Sequence, residues 1–208
     1  MIGAILVAAL SAYLLGNLNG SVCISALVAH DDVRKHGSGN AGLTNFFRSY
    51  GGWSTFLVMA VDVIKTVAAA YTAGFVLASF GYYREGLVLG VVLVSIGHDF
   101  PALLGFHGGK GVLSGVTVAL MADWRLGLLA LLIFAVCLYI SRYVSLSSIL
   151  GTLSFVIAFP ILYGGESPLA AVLGAALGLL IIFMHRSNVV RLLNGNERKA
   201  TFSKFKKK

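Results

Sequence analysis

The residues able to do chemistry lie in three polar segments of an otherwise apolar chain. The first is Gly37-Ser38-Gly39-Asn40-Ala41-Gly42-Leu43-Thr44-Asn45-Phe46-Phe47-Arg48. Its glycines admit backbone conformations with positive φ, so successive N–H groups can turn toward an anion. Ser38, Asn40, Thr44 and Asn45 add neutral hydrogen-bonding groups, and Arg48 adds a fixed cation suited to bidentate oxyanion binding. The plain alternative is a glycine-rich turn with a helix cap.

The second segment runs Gly97-His98-Asp99-Phe100-Pro101 and then Gly105-Phe106-His107-Gly108-Gly109-Lys110-Gly111-Val112. Here glycines and an ammonium open an apolar run, so free N–H groups, the positive end of a helix and Lys110 meet at one point. It is not a nucleotide-binding P-loop. Gly105 precedes Gly109 by too few residues, and Gly111 stands where Ser or Thr would bind Mg²⁺. His98 and Asp99 are adjacent and poorly spaced for one metal ion, so a structural or substrate-positioning role is expected. The His30-Asp31-Asp32 run reads as an interfacial loop.

The third segment is His185-Arg186-Ser187-Asn188-Val189-Val190-Arg191-Leu192-Leu193-Asn194-Gly195-Asn196-Glu197. His185, Asn188 and Arg191 are three apart and share one helix face. A histidine there could accept a proton or meet a phosphate oxygen; a snorkelling interfacial cluster is the alternative. Arg142-Tyr143-Val144-Ser145 forms a further polar corner, where Ser145 offers a hydroxyl.

The elements that must position these groups are membrane helices. The chain is 58% hydrophobic and only 12% charged, about half the charge of a soluble domain, so lipid must be the solvent for most of its surface. Apolar stretches near 2–28, 54–79, 86–104, 111–122, 125–142, 146–163 and 167–185 predict an all-α compact bundle of about seven transmembrane helices. Six is the other count, because 111–122 is short. The first run has no basic n-region, so it reads as a retained span with its N-terminus outside.

With that orientation the inner loops and tail hold Arg34, Lys35, Arg48, Lys110, Arg142 and everything from Arg186 on, while the outer loops hold Arg84 and Arg125. The bias favours cations inside and a cytoplasmic C-terminus. All three polar segments then share the cytoplasmic face. The net charge of +8 is thereby assigned to membrane orientation, and no nucleic-acid partner is expected.

The pairs Gly16/Gly20, Gly111/Gly115 and Gly174/Gly178 have the spacing of closely approaching helices. Asp62 and Lys65, inside the second span, read as a mutually neutralising pair or as contributors to the site. Cys23 and Cys137 read as small buried hydrophobes. Residues 1–196 are expected to form one membrane domain. Residues 197–208 are expected to be a basic cytoplasmic tail, with Phe202 to Lys208 drawn to anionic lipid.

In this order the three motifs resemble the bacterial acyl-phosphate:glycerol-3-phosphate acyltransferase family (PlsY type). The matching residues are Gly37-Ser38-Gly39-Asn40, Gly42, Thr44-Asn45 and Arg48, then Gly97-His98, Pro101 and Gly108-Gly109-Lys110-Gly111-Val112, then His185-Arg186, Asn188, Arg191-Leu192, Gly195 and Glu197. The resemblance covers nearly the whole chain. It departs at Leu43, Thr66, His107 and Leu113-Ser114, where the family usually has other residues. None of these removes a core motif residue.

The resemblance implies a seven-helix fold that transfers a fatty acyl group from acyl phosphate to the 1-hydroxyl of glycerol 3-phosphate. Lysophosphatidic acid and phosphate would be the products. It implies Ser38, Lys110, His185 and Asn188 as catalytic residues. Substrate binding would fall to Gly37, Gly39, Asn40, Thr44, Asn45, Arg48, His98, Gly108, Gly109, Gly111, Ser145 and Arg191. It also implies membrane lipid as surroundings, no cofactor or metal, and an acyl-phosphate-forming enzyme as the partner upstream.

A mixed anhydride is already activated, so positioning and charge stabilisation can supply most of the acceleration. Two routes remain for the hydroxyl proton, a phosphate oxygen of the donor or His185 acting as general base. A small transporter, suggested by Asp62 and Lys65, would be expected to show repeated halves and a midplane site. A lipid-binding scaffold would have no use for so many phosphate donors.

Overall fold

The computed structural model describes residues 1–200; the expected lipid-seeking segment Phe202 to Lys208 lies outside the described residues. The described chain is helical: α1 (Ile2–Asn17), α2 (Gly20–Ala29), α3 (Leu43–Ser49), α4 (Ser54–Ala78), α5 (Tyr83–Asp99), α6 (Val112–Ala122), α7 (Trp124–Ser141), α8 (Val144–Tyr163), α9 (Pro168–Met184) and α10 (Arg186–Leu193). Single 3₁₀ turns sit at Val33–Lys35 and Ala102–Leu104.

Each apolar stretch expected to span is helical. Five are long and apolar enough to cross a bilayer, and a sixth qualifies if α9 and α10, bent by 49°, are counted as one. With 11 residues, α6 is only about 16 Å long at 1.5 Å per residue, short of a core of about 30 Å. The chain is therefore an integral membrane bundle, in which α6 falls below the length needed and α9 reaches it only together with α10.

The first span is not continuous. Helix α1 ends at Asn17, Leu18 leaves helical geometry, and Asn19 caps α2 by accepting from Val22 N at 3.1 Å. A break inside a membrane frees backbone groups that water cannot satisfy. The Asp62–Lys65 pair of α4, 2.8 Å apart, takes them up. Asp62 accepts from the Gly20 amide at the start of α2 (3.1 Å), and Lys65 donates to the carbonyls of Leu18 (2.9 Å) and Gly16 (3.4 Å). The carboxylate thus meets the positive end of α2 and the ammonium the negative end of α1, the favourable sense at both helix ends.

Helix α5 packs along α4 and crosses α1, while α7, α8 and α9 form the other side. Small residues set these distances. A β-carbon on Gly16 would overlap Gly97 and the Val94 carbonyl, and one on Gly86 or Gly90 would run into the α4 backbone at Ala73 or Ala69. Most of the expected close-approach glycines behave as such: Gly20 meets Val58 O, Gly115 meets Ile181, Gly174 meets Phe159 and Gly178 meets Val156, whereas Gly111 stands before α6 with only ordinary contacts. The Gly86/Gly90 face of α5 is an additional contact of the same kind.

Candidate active site

Asn45 folds the first loop around itself. From the third residue of α3 its side-chain oxygen accepts from Ser38 N (3.0 Å), and its amide donates to the carbonyls of Val33 and His36, both at 3.0 Å. Gly37, at φ +60°, must be glycine because a β-carbon would collide with that oxygen. Asn45 is buried and its amide is fully used, so it shapes the loop; the sequence reading had set it among the substrate contacts.

The expected nest of free amides is also largely consumed. Ser38 N goes to Asn45, Gly39 N to His36 O, and Ala41 N to Gly108 O. What the loop leaves at its surface are the exposed Ser38 and, one turn apart on α3, the half-buried Thr44 and Arg48. Arg48 also donates to Arg198 O at 3.3 Å. Burial pulls its guanidinium down from the usual value, Glu197 pulls it up, and it stays cationic.

The second loop is fastened to the first. Asn40 Nδ2 and Ala41 N both reach Gly108 O at 3.3 Å, and Gly109 N donates to His98 O at 2.9 Å. A β-carbon on Gly108 would strike the His98 and Asp99 carbonyls and Pro101. Gly111, at φ +65°, turns the chain into α6. The first amides of α6 therefore come just after Lys110 in the chain.

His98 does not face that opening. Its ring is buried, with Nδ1 2.8 Å from Lys65 Nζ and 3.4 Å from Asn19 Nδ2, and its other edge lies against Gly109. The residue spacing predicts a structural or substrate-positioning role for His98 and the resemblance implies substrate binding; its ring lies behind the loop, on Lys65 and Asn19. Asp99 is 1% exposed, and neither carboxylate oxygen has a hydrogen-bond partner among the described residues.

The third segment closes the site. Helix α9 ends at Met184, the chain bends by 49° at His185, and α10 packs against α8 and α9. His185 Nδ1 is 2.8 Å from Ile181 O. A carbonyl only accepts, so Nδ1 carries the proton and Nε2 keeps its lone pair. Asn188 Oδ1 accepts from Lys110 Nζ, joining the second segment to the third.

Glu197 gathers the rest, and the sequence reading gave it no role. It accepts from Ser145 Oγ (2.8 Å), Asn188 Nδ2 (2.8 Å) and Arg191 Nε (2.7 Å). Burial pushes its carboxyl up, but the three hydrogen bonds outweigh burial and hold it below the usual range. Gly195, at φ +69°, turns the chain back after α10, and Ala200 N donates to Arg142 O at 2.7 Å. The start of the stretch read as a tail is thus part of the site.

Three cations, Lys110, Arg191 and Arg48, lie among two carboxylates, Glu197 and the buried Asp99, leaving an excess of positive charge. Burial first, then Arg191 and Arg48, pull the Lys110 ammonium down to about 8, against Glu197 and Asp99. Among the described residues no hydrogen bond joins Ser38 to His185. Asn19 was missed altogether, although a short polar run, Asn17-Leu18-Asn19, interrupting an apolar stretch was the signal for it.

Below the cluster runs an apolar groove. Val112 and Gly115 of α6, Ser148, Gly151 and Phe155 of α8, and Gly178 and Ile181 of α9 line it. Val112 follows Gly111, Ser148 is three residues after Ser145, and Ile181 carries the carbonyl bonded to His185. The groove therefore begins where the polar cluster ends.

A family model described as glycerol-3-phosphate acyltransferase matches residues 6–195. A glycerol-3-phosphate acyltransferase of Finegoldia magna is 38% identical over 191 residues, covering 90% of this chain and 91% of that one. The enzyme of that name from Syntrophomonas wolfei is 39% identical, covering 91% and 93%. The solved structure of PlsY, an integral membrane glycerol 3-phosphate acyltransferase, in its glycerol 3-phosphate form superposes with a TM-score of 0.83. It is 33% identical, with 97% and 98% of the two chains covered. The lysophosphatidic acid form gives 0.80 at 33% identity, covering 95% of each chain.

Proposed function

The chain belongs to the glycerol-3-phosphate acyltransferase family, and from that premise we propose that its acyl donor is a fatty acyl phosphate. The reaction acylates glycerol 3-phosphate to lysophosphatidic acid. The proposal adds that the 1-hydroxyl oxygen attacks the acyl carbonyl carbon of the mixed anhydride. The carbon–oxygen bond to phosphate breaks and inorganic phosphate leaves.

One observation carries this reading: a cation-rich polar cluster caps an apolar groove. A donor with an anionic head and an alkyl tail would match that pairing of polar and apolar surface. Lys110 and the first amides of α6 would take up charge on the leaving phosphate. Arg48, Ser38 and Thr44 at the first loop, with Arg191, would hold the second phosphate. Gly37, Gly39, Asn40, Asn45, Gly108, Gly109 and Gly111 would keep the loops in shape, and Ser145 and Asn188 would orient the cations through Glu197.

His185 with its ring proton on Nδ1 favours Nε2 as acceptor for the attacking hydroxyl. Whether it also removes the proton is a matter of kcat. A His185→Gln variant with near-normal kcat and raised KM would assign the proton to a phosphate oxygen and the orienting role to His185.

The same reading puts the active site at the cytoplasmic face of the bacterial inner membrane, with the N-terminus outside. An enzyme forming acyl phosphate would be the upstream partner. The cations of the polar loops and their near-absence at the other end support that orientation. The test is purified protein in lipid with palmitoyl phosphate or palmitoyl-CoA and labelled glycerol 3-phosphate. Labelled lysophosphatidic acid from the phosphate alone is expected; product from the CoA ester alone would overturn the donor assignment.

A further inference from the structure

A second polar cluster lies behind the loops and touches neither substrate site directly. It contains Asn19, Asp62, Lys65 and His98, all at most 6% exposed. Burying ionisable groups in a membrane bundle is costly, and they persist where paired or functional. Bracing the α1–α2 break accounts for Asp62 and for two of the Lys65 contacts. Apart from the pairing with Asp62, it does not account for the one remaining contact, 2.8 Å to His98 Nδ1.

That contact has a chemical consequence. The ammonium only donates, as does the Asn19 side-chain amide, whose orientation is fixed because its oxygen accepts from Val22 N. With both donors aimed at Nδ1, the His98 ring must carry its proton on Nε2. The Nε2 edge rests on Gly109, so closely that any β-carbon there would overlap it. The His98 carbonyl takes the Gly109 amide at 2.9 Å. One residue later comes Lys110.

The same cluster reaches the other loop. Asn19 Nδ2 donates to Ala41 O at 2.9 Å, and Ala41 N bonds Gly108 O. Both loops are thus referred to a single buried point, the break in the first span.

We propose that Lys65 and Asn19 are positioning residues for the acyl transfer, which lock the His98 ring against Gly109 and so set both phosphate-binding loops; Asp62 serves as the counter-ion that makes the buried ammonium tolerable. This rests on the acyltransferase reading above. It gives the intramembrane pair a task in catalysis as well as in the bundle.

The test uses the full chain in lipid. Removing Lys65 alone would strand the Asp62 carboxylate, so the variant is the charge-neutral double D62N/K65M. The second variant is His98→Asn, which keeps an acceptor for Lys65 at the δ position and removes only the edge that rests on Gly109. Each is assayed for kcat, for KM toward glycerol 3-phosphate and acyl phosphate, and for thermal unfolding. The ring protonation of His98 is read by ¹⁵N NMR of histidine-labelled wild type and double variant.

Expected are an Nε2-protonated ring in the wild type and a changed ring signal in the double variant. KM for at least one phosphate substrate should rise about tenfold or more in both variants, with kcat changed less. Wild-type KM values in a folded His98→Asn variant, or an Nδ1-protonated ring in the wild type, would overturn the proposal. If the double variant does not fold, His98→Asn and the wild-type ring signal decide alone. An inactive wild type would sink the acyltransferase reading instead, while the NMR arm would still report on Lys65 and His98.

Discussion

Lys110 is a cation in a place that disfavours cations, and this makes the enzyme's alkaline behaviour calculable. Burial, with Arg191 and Arg48 adding repulsion, brings its ammonium down to about 8. About nine in ten molecules then carry the charge at pH 7 and about one in ten at pH 9, from the ordinary titration of a single site. Glycerol 3-phosphate and the proposed acyl phosphate donor are already ionised in that window. A kcat/KM that reports the free enzyme should therefore fall about tenfold from pH 7 to pH 9.

Lys110→Arg keeps its charge throughout this range, so its profile should be flat, though lower overall because a guanidinium is not a compact ammonium. Glu197→Gln removes a carboxylate that raises the Lys110 value and should move the limb to lower pH. Stability should run the other way. Below about 8 both folded and unfolded lysine are protonated, and the burial penalty is present in full. Between about 8 and the unfolded value near 10.4 the unfolded state binds more protons, so this contribution to stability rises with pH. Initial rates in lipid and thermal unfolding, measured together, separate site titration from denaturation. A wild-type profile flat from pH 7 to 9.5, or an unchanged limb in Lys110→Arg, would refute the argument.

Glu197→Ala should lower kcat/KM at least tenfold without unfolding the protein, since charge-assisted hydrogen bonds are worth roughly 1.5–3 kcal/mol each; unchanged kinetics would remove Glu197 from the site. Gly97→Ala puts a methyl group against Tyr13 O and the Gly16 backbone and should cost about 1–3 kcal/mol, read as a lower unfolding temperature. Arg84→Ala breaks the exposed ion pair with Glu166 at the far end. It should change stability by less than about 1 kcal/mol and leave the rate as it was; a clear loss of activity would mean that the far end communicates with the site.

The apolar composition, the apolar stretches and the three polar motifs were legible in the sequence because each is a local property. Hydropathy over some twenty residues finds a helix whatever it packs against, and glycines in the segments that carry Lys110 and Arg48 point to anion chemistry without a partner. Gly16/Gly20 and Gly174/Gly178 likewise declared close approach before their partners were known.

Long-range pairing was not legible, and it decides the site. Ser145, Asn188 and Arg191 share Glu197 only because the chain reverses at Gly195, a turn that no helical periodicity describes. His98 lies behind its loop because Lys65, 33 residues earlier, reaches its ring, and Asn45 turns inward on its own loop. The break at Leu18–Asn19 was hidden because hydropathy sums over a window and does not register one capping residue. Side-chain identity alone fixes which groups can bind phosphate; only the fold's unsatisfied backbone and buried charges, each requiring a partner, decide which of them are spent on structure.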